Sequence, residues 1–198
     1  MSVLVPGAGL CRLAWEIASL GFQTEANEFA YHMLLASNWI LNVCHETTIL
    51  HPFVHSFNHL RTNEAQLKGI SIPDTFASTL QNPNFSMAAG DFTEIYNDSQ
   101  FSVVVTCFFL DTARDVTLYL RIIFDALHPG GRWINFGPCL WHFGLEMSLE
   151  EVVKLVERVG FVIEHFSERD CGYIEGESLW KSSFGCGFWV ARRPDQAG

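Results

Sequence analysis

The run Val3-Leu4-Val5-Pro6-Gly7-Ala8-Gly9 constrains this chain more than any other stretch: an apolar strand enters a glycine turn, and a helix-like segment, 10–20, follows at once. Glycine in such a turn lets backbone approach a ligand closely. Glu28 lies about 20 residues beyond Gly7, at the end of a predicted second strand, where an acid can accept both hydroxyls of a ribose. The segment therefore reads as the nucleotide half of a Rossmann-like fold. A GxG turn serves NAD, FAD and S-adenosylmethionine alike, and a bare structural turn can use the same residues. The third glycine of the dinucleotide fingerprint is missing, because Arg12 stands at its position after Cys11. That weakens NAD and favours a methyl donor with no pyrophosphate to hold.

Leu10, Leu13, Ala14, Ile17 and Ala18 recur at helical spacing, and a strand around 22–26 leads to Glu28. The apolar stretch 29–41 predicts a helix buried on more than one side. Over about 43–84 the rhythm breaks, with His45, His51, His55 and His59 set among Pro52, Pro73 and Pro83. This long loop insertion is expected to hold short elements of its own or to cover one edge of a pocket. Further strands are predicted at 85–89, 101–110, 132–136, 161–166 and 184–192. Helices are predicted at 113–127, stopped by His128-Pro129-Gly130-Gly131, and at 148–159, opened by a capping box of Ser148 and Glu151.

Strands alternating with helices argue an α/β chain with a mainly parallel sheet, which places ligands at the carboxyl ends of its strands. Gly7 and Gly9 follow the first strand, Glu28 the second, Asp91 the third, Asp111 the fourth, and His142 comes after the fifth. Asp91 with Phe92 suits an adenine site, the carboxylate taking the exocyclic amine and the ring supplying apolar contact; Asp91 as a helix N-cap is the plain alternative. Asp111 could hold a nitrogen nucleophile, or simply cap the next helix. His142, in an aromatic loop, is either a hydrogen-bonded structural residue or a site residue. His51, His55 and His59 have i, i+4 spacing, but Pro52 intrudes and no acid or thiol stands at a comparable interval, so no metal is expected.

At 198 residues with 48% hydrophobic and 14% aromatic side chains, the chain suits one domain with a real core. No apolar run reaches the roughly 18 residues of a membrane span, and the N-terminus lacks a signal-peptide pattern, so a soluble protein of the cytoplasm, with the nucleus also open to it, is expected. The six cysteines never approach CxxC spacing and read as small buried hydrophobes. A formal net charge of −10 without any basic stripe argues against nucleic acid as a partner, and nothing points to a membrane.

The blocks VPGAGLCRLAWEIASLGF, NEFAYHMLLASNWILN, FSMAAGDFTEIY, TCFFLDTA and HPGGRWINFGPCLWHF, in this order, resemble the carnosine N-methyltransferase family over nearly the whole chain. The resemblance implies a class I S-adenosylmethionine-dependent methyltransferase: a single domain on a seven-stranded, mainly parallel sheet whose last strand is antiparallel. The implied reaction is methyl transfer to an imidazole nitrogen of carnosine or a related histidine-containing small molecule or peptide. It assigns Gly7, in the turn with Gly9, and Glu28, Asp91, Phe92 and Cys107 to the cofactor. Asp111, His142 and Tyr173 match positions that face the substrate imidazole, with Asp111 and His142 as the catalytic pair. The family also carries a helical region ahead of the first strand, expected to be missing here, and a run of tyrosines where this sequence has Ser182-Ser183-Phe184. The alternative reading is a noncatalytic or truncated Rossmann-like module acting through a protein partner; the oligomeric state is not indicated.

Overall fold

The computed structural model describes residues 1–80, 84–96, 101–173 and 178–195. Strands β1 (Ser2–Pro6), β2 (Gln23–Glu28), β3 (Thr48–Leu50), β4 (Ile70–Ile72), β5 (Phe85–Ala89), β6 (Phe101–Cys107), β7 (Leu127–Gly137), β8 (Val162–Gly172) and β9 (Ser183–Arg192) are joined by six α-helices among the described residues. These are α1 (Arg12–Ser19), α2 (Tyr31–Asn38), α3 (Asn63–Gln66), α4 (Phe92–Ile95), α5 (Val116–Ala126) and α6 (Leu149–Val159). Seven strands form one sheet in the order β5-β2-β1-β6-β7-β9-β8, with β9 antiparallel to both neighbours and the other six sharing one direction. The predicted sheet, antiparallel last strand included, is the one observed. Chain order reverses between β1 and β6, so the crevice at the carboxyl ends of those strands is where a ligand fits.

Central strands buried on both faces alternate their side chains between two cores. Val3 and Val5 join Cys11, Ala14 and Ala26 on the α1 side, with Val103 and Val105 against them. Leu4 and Val104 point the other way, into the larger core with Leu120, Ile123, Val152, Val156, Trp133 and Trp189. Small side chains at Ala14 and Ala18 bring α1 close to the sheet, whereas Leu10 and Leu13 of the same predicted stripe are exposed. A buried polar chain ties the centre together: Trp133 Nε1 donates to Thr106 Oγ1, which meets Asn135 Oδ1, each at 2.8 Å, while Asn135 Nδ2 donates to the Gly187 carbonyl at 3.3 Å. Such a chain leaves those groups satisfied in low dielectric and fixes the register of β6, β7 and β9.

Several boundaries differ from the sequence expectation, each for a tertiary reason. The predicted capping box is present, Ser148 and Glu151 each accepting the other's main-chain N–H, and Gly160 closes α6 in the left-handed region at φ 118°. By contrast, α2 is not buried on several sides: only Ser37 is buried, Tyr31 and Leu35 are exposed, and the helix widens into a π turn over Trp39–Val43. β6 stops at Cys107, and α5 starts at Val116 under an Asp115 cap, so Asp111 neither ends a strand nor caps this helix. The residues His128-Pro129-Gly130-Gly131 lie inside β7, drawn there by pairing of Leu127 with Phe101 and by main-chain bonds of Gly130 and Gly131 with Arg193. The Arg193 guanidinium then takes the carbonyls of Phe124, Asp125 and Leu127 at the end of α5. Of the six cysteines, all free, Cys11, Cys44 and Cys186 are buried as expected, but Cys107 is exposed.

The insertion has its own elements: β3 pairs antiparallel with β4, and α3 and a 3-10 turn at Ala77–Thr79 complete it. Contacts among the described residues fasten it along the carboxyl edge of the sheet. Arg12 pairs with Asp74 at 2.6 Å on the α1 side, and the Leu179 N–H donates to the His59 carbonyl at 2.9 Å on the far side. No helix among the described residues is long and apolar enough to cross a membrane.

Candidate functional site

The turn after β1 is held by β2. Gly7 and Gly9 take φ of 64° and 56°, Cys11 takes 69°, and α1 begins directly beyond. A side chain at Gly7 would put its Cβ 2.4 Å from Phe109 Cδ2, while nothing lies within 4 Å of the Cβ direction at Gly9. Gly7 is thus required by close approach to the next strand's loop, and Gly9 presents open backbone. Glu28, 9% exposed, stands at the tip of β2. Its Oε2 accepts the Gly9 N–H at 2.8 Å, and its Oε1 accepts those of Phe29 at 2.8 Å and Ala30 at 2.7 Å. Asn27, fully inside, bridges β2 to the β5 tip by donating to the carbonyls of Ala88 at 3.1 Å and Gly90 at 3.0 Å.

Asp91 follows that tip as the N-cap of α4, its Oδ1 accepting from Thr93 N at 2.8 Å and Thr93 Oγ1 at 2.7 Å. Capping and a place at the site's edge are compatible, since Oδ2 remains as a second acceptor. The Phe92 ring turns into the core, edge-on to Phe109 with centroids 5.4 Å apart. What Phe92 presents at the tip is main chain, because its ring is covered by Tyr96, Phe109 and Tyr119.

Beyond Cys107 the chain leaves β6 through Phe108, which adopts φ 50°, a left-handed conformation sparsely used by bulky residues. Its N–H still reaches the Phe136 carbonyl at 2.8 Å, and the turn that follows, Leu110–Thr112, brings Asp111 back inside. Asp111 is 3% exposed. Its Oδ2 accepts the Leu140 N–H at 3.2 Å, and its carbonyl accepts the His142 N–H at 3.1 Å, so the acid and the loop after β7 are one unit. Burial pushes the Asp111 carboxyl above the ordinary carboxylate range; its main-chain hydrogen bonds and the nearby His142 oppose this. The His142 side chain is exposed at the surface of the same loop. That loop is closed by Trp141 Nε1, which donates to the Met147 carbonyl at 2.7 Å.

Tyr173 stands just past β8, which runs longer than predicted. Its ring stacks on Phe108 at 5.7 Å and 23°, and meets Phe184 edge-on at 5.3 Å. Gly7, Gly9, Glu28, Asp91, Cys107, Asp111, His142 and Tyr173 therefore lie along one edge of the sheet, linked through Phe109 below and Phe108 beside. Sequence reasoning missed both phenylalanines and Asn27. A left-handed Phe leaves no trace in the residue pattern, and Asn27 reads in the sequence only as a polar residue before an acid. His51, His55 and His59 do not share a helix: His51 Nδ1 lies 2.9 Å from the Leu67 carbonyl, and His59 sits at φ 59°. Among the described residues no three His, Cys, Asp or Glu side chains cluster in a way that could hold a metal.

Comparison with known proteins bears on the family and the fold. The family model described as carnosine N-methyltransferase matches residues 1–195. The chain is 40% identical over 207 residues to carnosine N-methyltransferase of Rattus norvegicus, covering 98% of this chain and 52% of that protein. It is 42% identical over 211 residues to the Drosophila melanogaster protein of that description, covering 98% and 46%. The chain thus spans about half the length of these curated relatives. Among solved structures it is similar to a methyltransferase from Bacillus halodurans (TM-score 0.66, 10% identity, 98% of this chain and 92% of that one). It is also similar to the N-methyltransferase NodS from Bradyrhizobium japonicum in complex with S-adenosyl-L-homocysteine (TM-score 0.61, 11% identity, 98% and 78%). At those identities the likeness shows the fold.

Proposed function

This chain belongs to the carnosine N-methyltransferase family, and on that premise we propose that it transfers a methyl group from S-adenosylmethionine to an imidazole nitrogen of carnosine or a related histidine-containing small molecule or peptide. The observation that carries this reading is Asp111: a buried acid at the mouth of the sheet, with one oxygen held by the Leu140 N–H and its main chain tied to His142.

The donor supplies a methyl group activated on a sulfonium. The edge described above fits it: open backbone at Gly9, a carboxylate at Glu28 with a lone pair left on Oε2, and the second oxygen of Asp91. Glu28 then takes ribose hydroxyls, Asp91 the adenine amine, Phe92 contributes main chain, and Cys107 lies beside the sulfur end. A neutral imidazole is already a nucleophile, so the protein needs to fix its position and tautomer. Asp111 accepts the N–H of the ring nitrogen that is not methylated, which frees the lone pair of the other. The same carboxylate then faces the imidazolium that forms, and in a dry setting that charge is worth far more than in water. His142 and Tyr173 border the ring.

The test is methyl transfer from labelled S-adenosylmethionine to a panel of carnosine, free histidine and histidyl peptides, with the product site read by mass spectrometry. Label on the imidazole of carnosine or a related compound is expected; label on none of them overturns the proposal. Calorimetry with S-adenosylhomocysteine against NAD checks the donor separately.

A further inference from the structure

Between the insertion and the end of β8 lies a cavity of about 410 Å³, with Phe53, His59, Arg61, Lys68, Tyr173 and Trp180 in its walls. The insertion is pinned there by the bond from Leu179 to the His59 carbonyl and by the His59 ring, 5.8 Å from that of Trp180. One wall is shared with the site already described. Tyr173 lines the cavity and also stacks on Phe108, the residue that opens the turn carrying Asp111.

Arg61 sets the chemistry of this cavity. Its guanidinium makes no ion pair or hydrogen bond to the described residues, although the chain as a whole carries a formal net charge of −10 and offers many acids. Arg114, Arg121, Arg158 and Arg169 are likewise exposed without an ion pair among the described residues, but Arg61 is the arginine that lines this cavity. An acidic protein repels anions at long range, so an anionic group of a substrate enters only where a local cation receives it. A guanidinium does so with two parallel hydrogen bonds to a carboxylate, a geometry that an ammonium cannot match.

We infer that Arg61 receives the carboxylate of the substrate, so that the site selects small histidyl compounds that carry a free carboxylate next to the imidazole. The inference rests on the proposed reaction and deepens it. In a histidyl unit the ring and the carboxylate are a few single bonds apart, a reach of roughly 6 Å by ordinary bond lengths. Tyr173, stacked on Phe108 and lining the cavity that holds Arg61, is the wall shared by the turn of Asp111 and this cavity, and the carboxylate is taken to extend along it.

The experiment compares carnosine with β-alanylhistamine, the same molecule without its carboxylate, as methyl acceptors for the wild type, Arg61→Ala and Arg61→Lys. For the wild type, kcat/KM is expected to favour carnosine by about tenfold, the scale of one charge-assisted pair. Arg61→Ala should bring the two acceptors level, mainly through KM for carnosine, with Arg61→Lys in between. Thermal melting and S-adenosylhomocysteine affinity should stay unchanged, since the side chain is exposed and away from the donor's edge. Equal use of both acceptors by the wild type overturns the inference whatever the variants do, as does a variant that lowers both in proportion. Transfer to no imidazole compound overturns the proposed reaction and this inference with it; transfer without discrimination overturns the inference alone.

Discussion

Gly9 donates its main-chain N–H to Glu28 Oε2 at 2.8 Å, so the turn after the first strand and the acid after the second are a single hydrogen-bonded piece. The same carboxylate accepts from Phe29 and Ala30, which makes it both the anchor of the turn and a candidate ribose ligand.

Glu28→Ala leaves three amides without their acceptor and is expected to destabilise the fold by about 1–3 kcal/mol. Affinity for S-adenosylhomocysteine should fall at least about tenfold, the scale of one charge-assisted hydrogen bond. Urea midpoints and calorimetry measure the two effects, and unchanged affinity would remove Glu28 from the cofactor site.

Asp111→Asn keeps an oxygen for the Leu140 N–H but removes the charge that faces the imidazolium. Methyl transfer should drop by about 100-fold or more with S-adenosylhomocysteine binding preserved. Loss of cofactor binding in this variant would contradict the role given to Asp111.

Burial raises the Asp111 carboxyl above its ordinary 3.8. A raised carboxyl favours the folded state in its protonated form; that contribution is complete below the unfolded pKa and is lost as pH rises through the folded one. Asp111→Asn has no such loss, so its urea midpoint should gain on the wild type as pH rises above about 4. A difference between the two that stays flat with pH would refute the stated cause. In the wild type the acid limb of kcat/KM should lie above that of an exposed carboxylate, because the ring N–H needs the ionised form.

Gly7 and Gly9 share left-handed φ yet should fail differently. Gly9→Ala enters open space and is expected to cost about 1–2 kcal/mol of backbone strain, with donor affinity reduced at the exposed backbone. Gly7→Ala adds a clash with Phe109 to the same strain and should cost about 3 kcal/mol or more. Similar melting temperatures for the two variants would contradict this ordering.

The thiols offer a direct readout of the site. Cys11 is fully buried, and desolvation, reinforced by the Glu28 charge, pushes it up to about 11, so it should resist alkylation at neutral pH. Cys107 is exposed and should react first. Added S-adenosylhomocysteine should slow Cys107 labelling selectively; an unaltered rate would place Cys107 away from the donor.

Much of this was legible along the chain. The strand and glycine turn, the acid at Glu28, the Ser148 capping box and the alternation that yields the sheet all rest on local chemistry. A left-handed turn needs glycine, a helix start needs an acceptor for its first amides, and a central strand needs apolar side chains on both faces. Where local and tertiary demands diverged, the residue pattern misled. The apolar stretch at α2 predicted burial that the fold does not provide, and His128-Pro129-Gly130-Gly131 became strand because Phe101 and Arg193 were there to pair with it.

The sequence by itself determined the fold class, the strand tips that carry the candidate residues and the likeness to a methyltransferase family, because each depends on residue type and spacing. Only the tertiary structure decided that Asp111 is buried and joined to the loop of His142, that the Phe92 ring faces the core, and that Tyr173 joins the site through a left-handed Phe108. Those outcomes turn on which surfaces meet after the strands assemble, and contacts between segments far apart in the chain leave no periodicity to read.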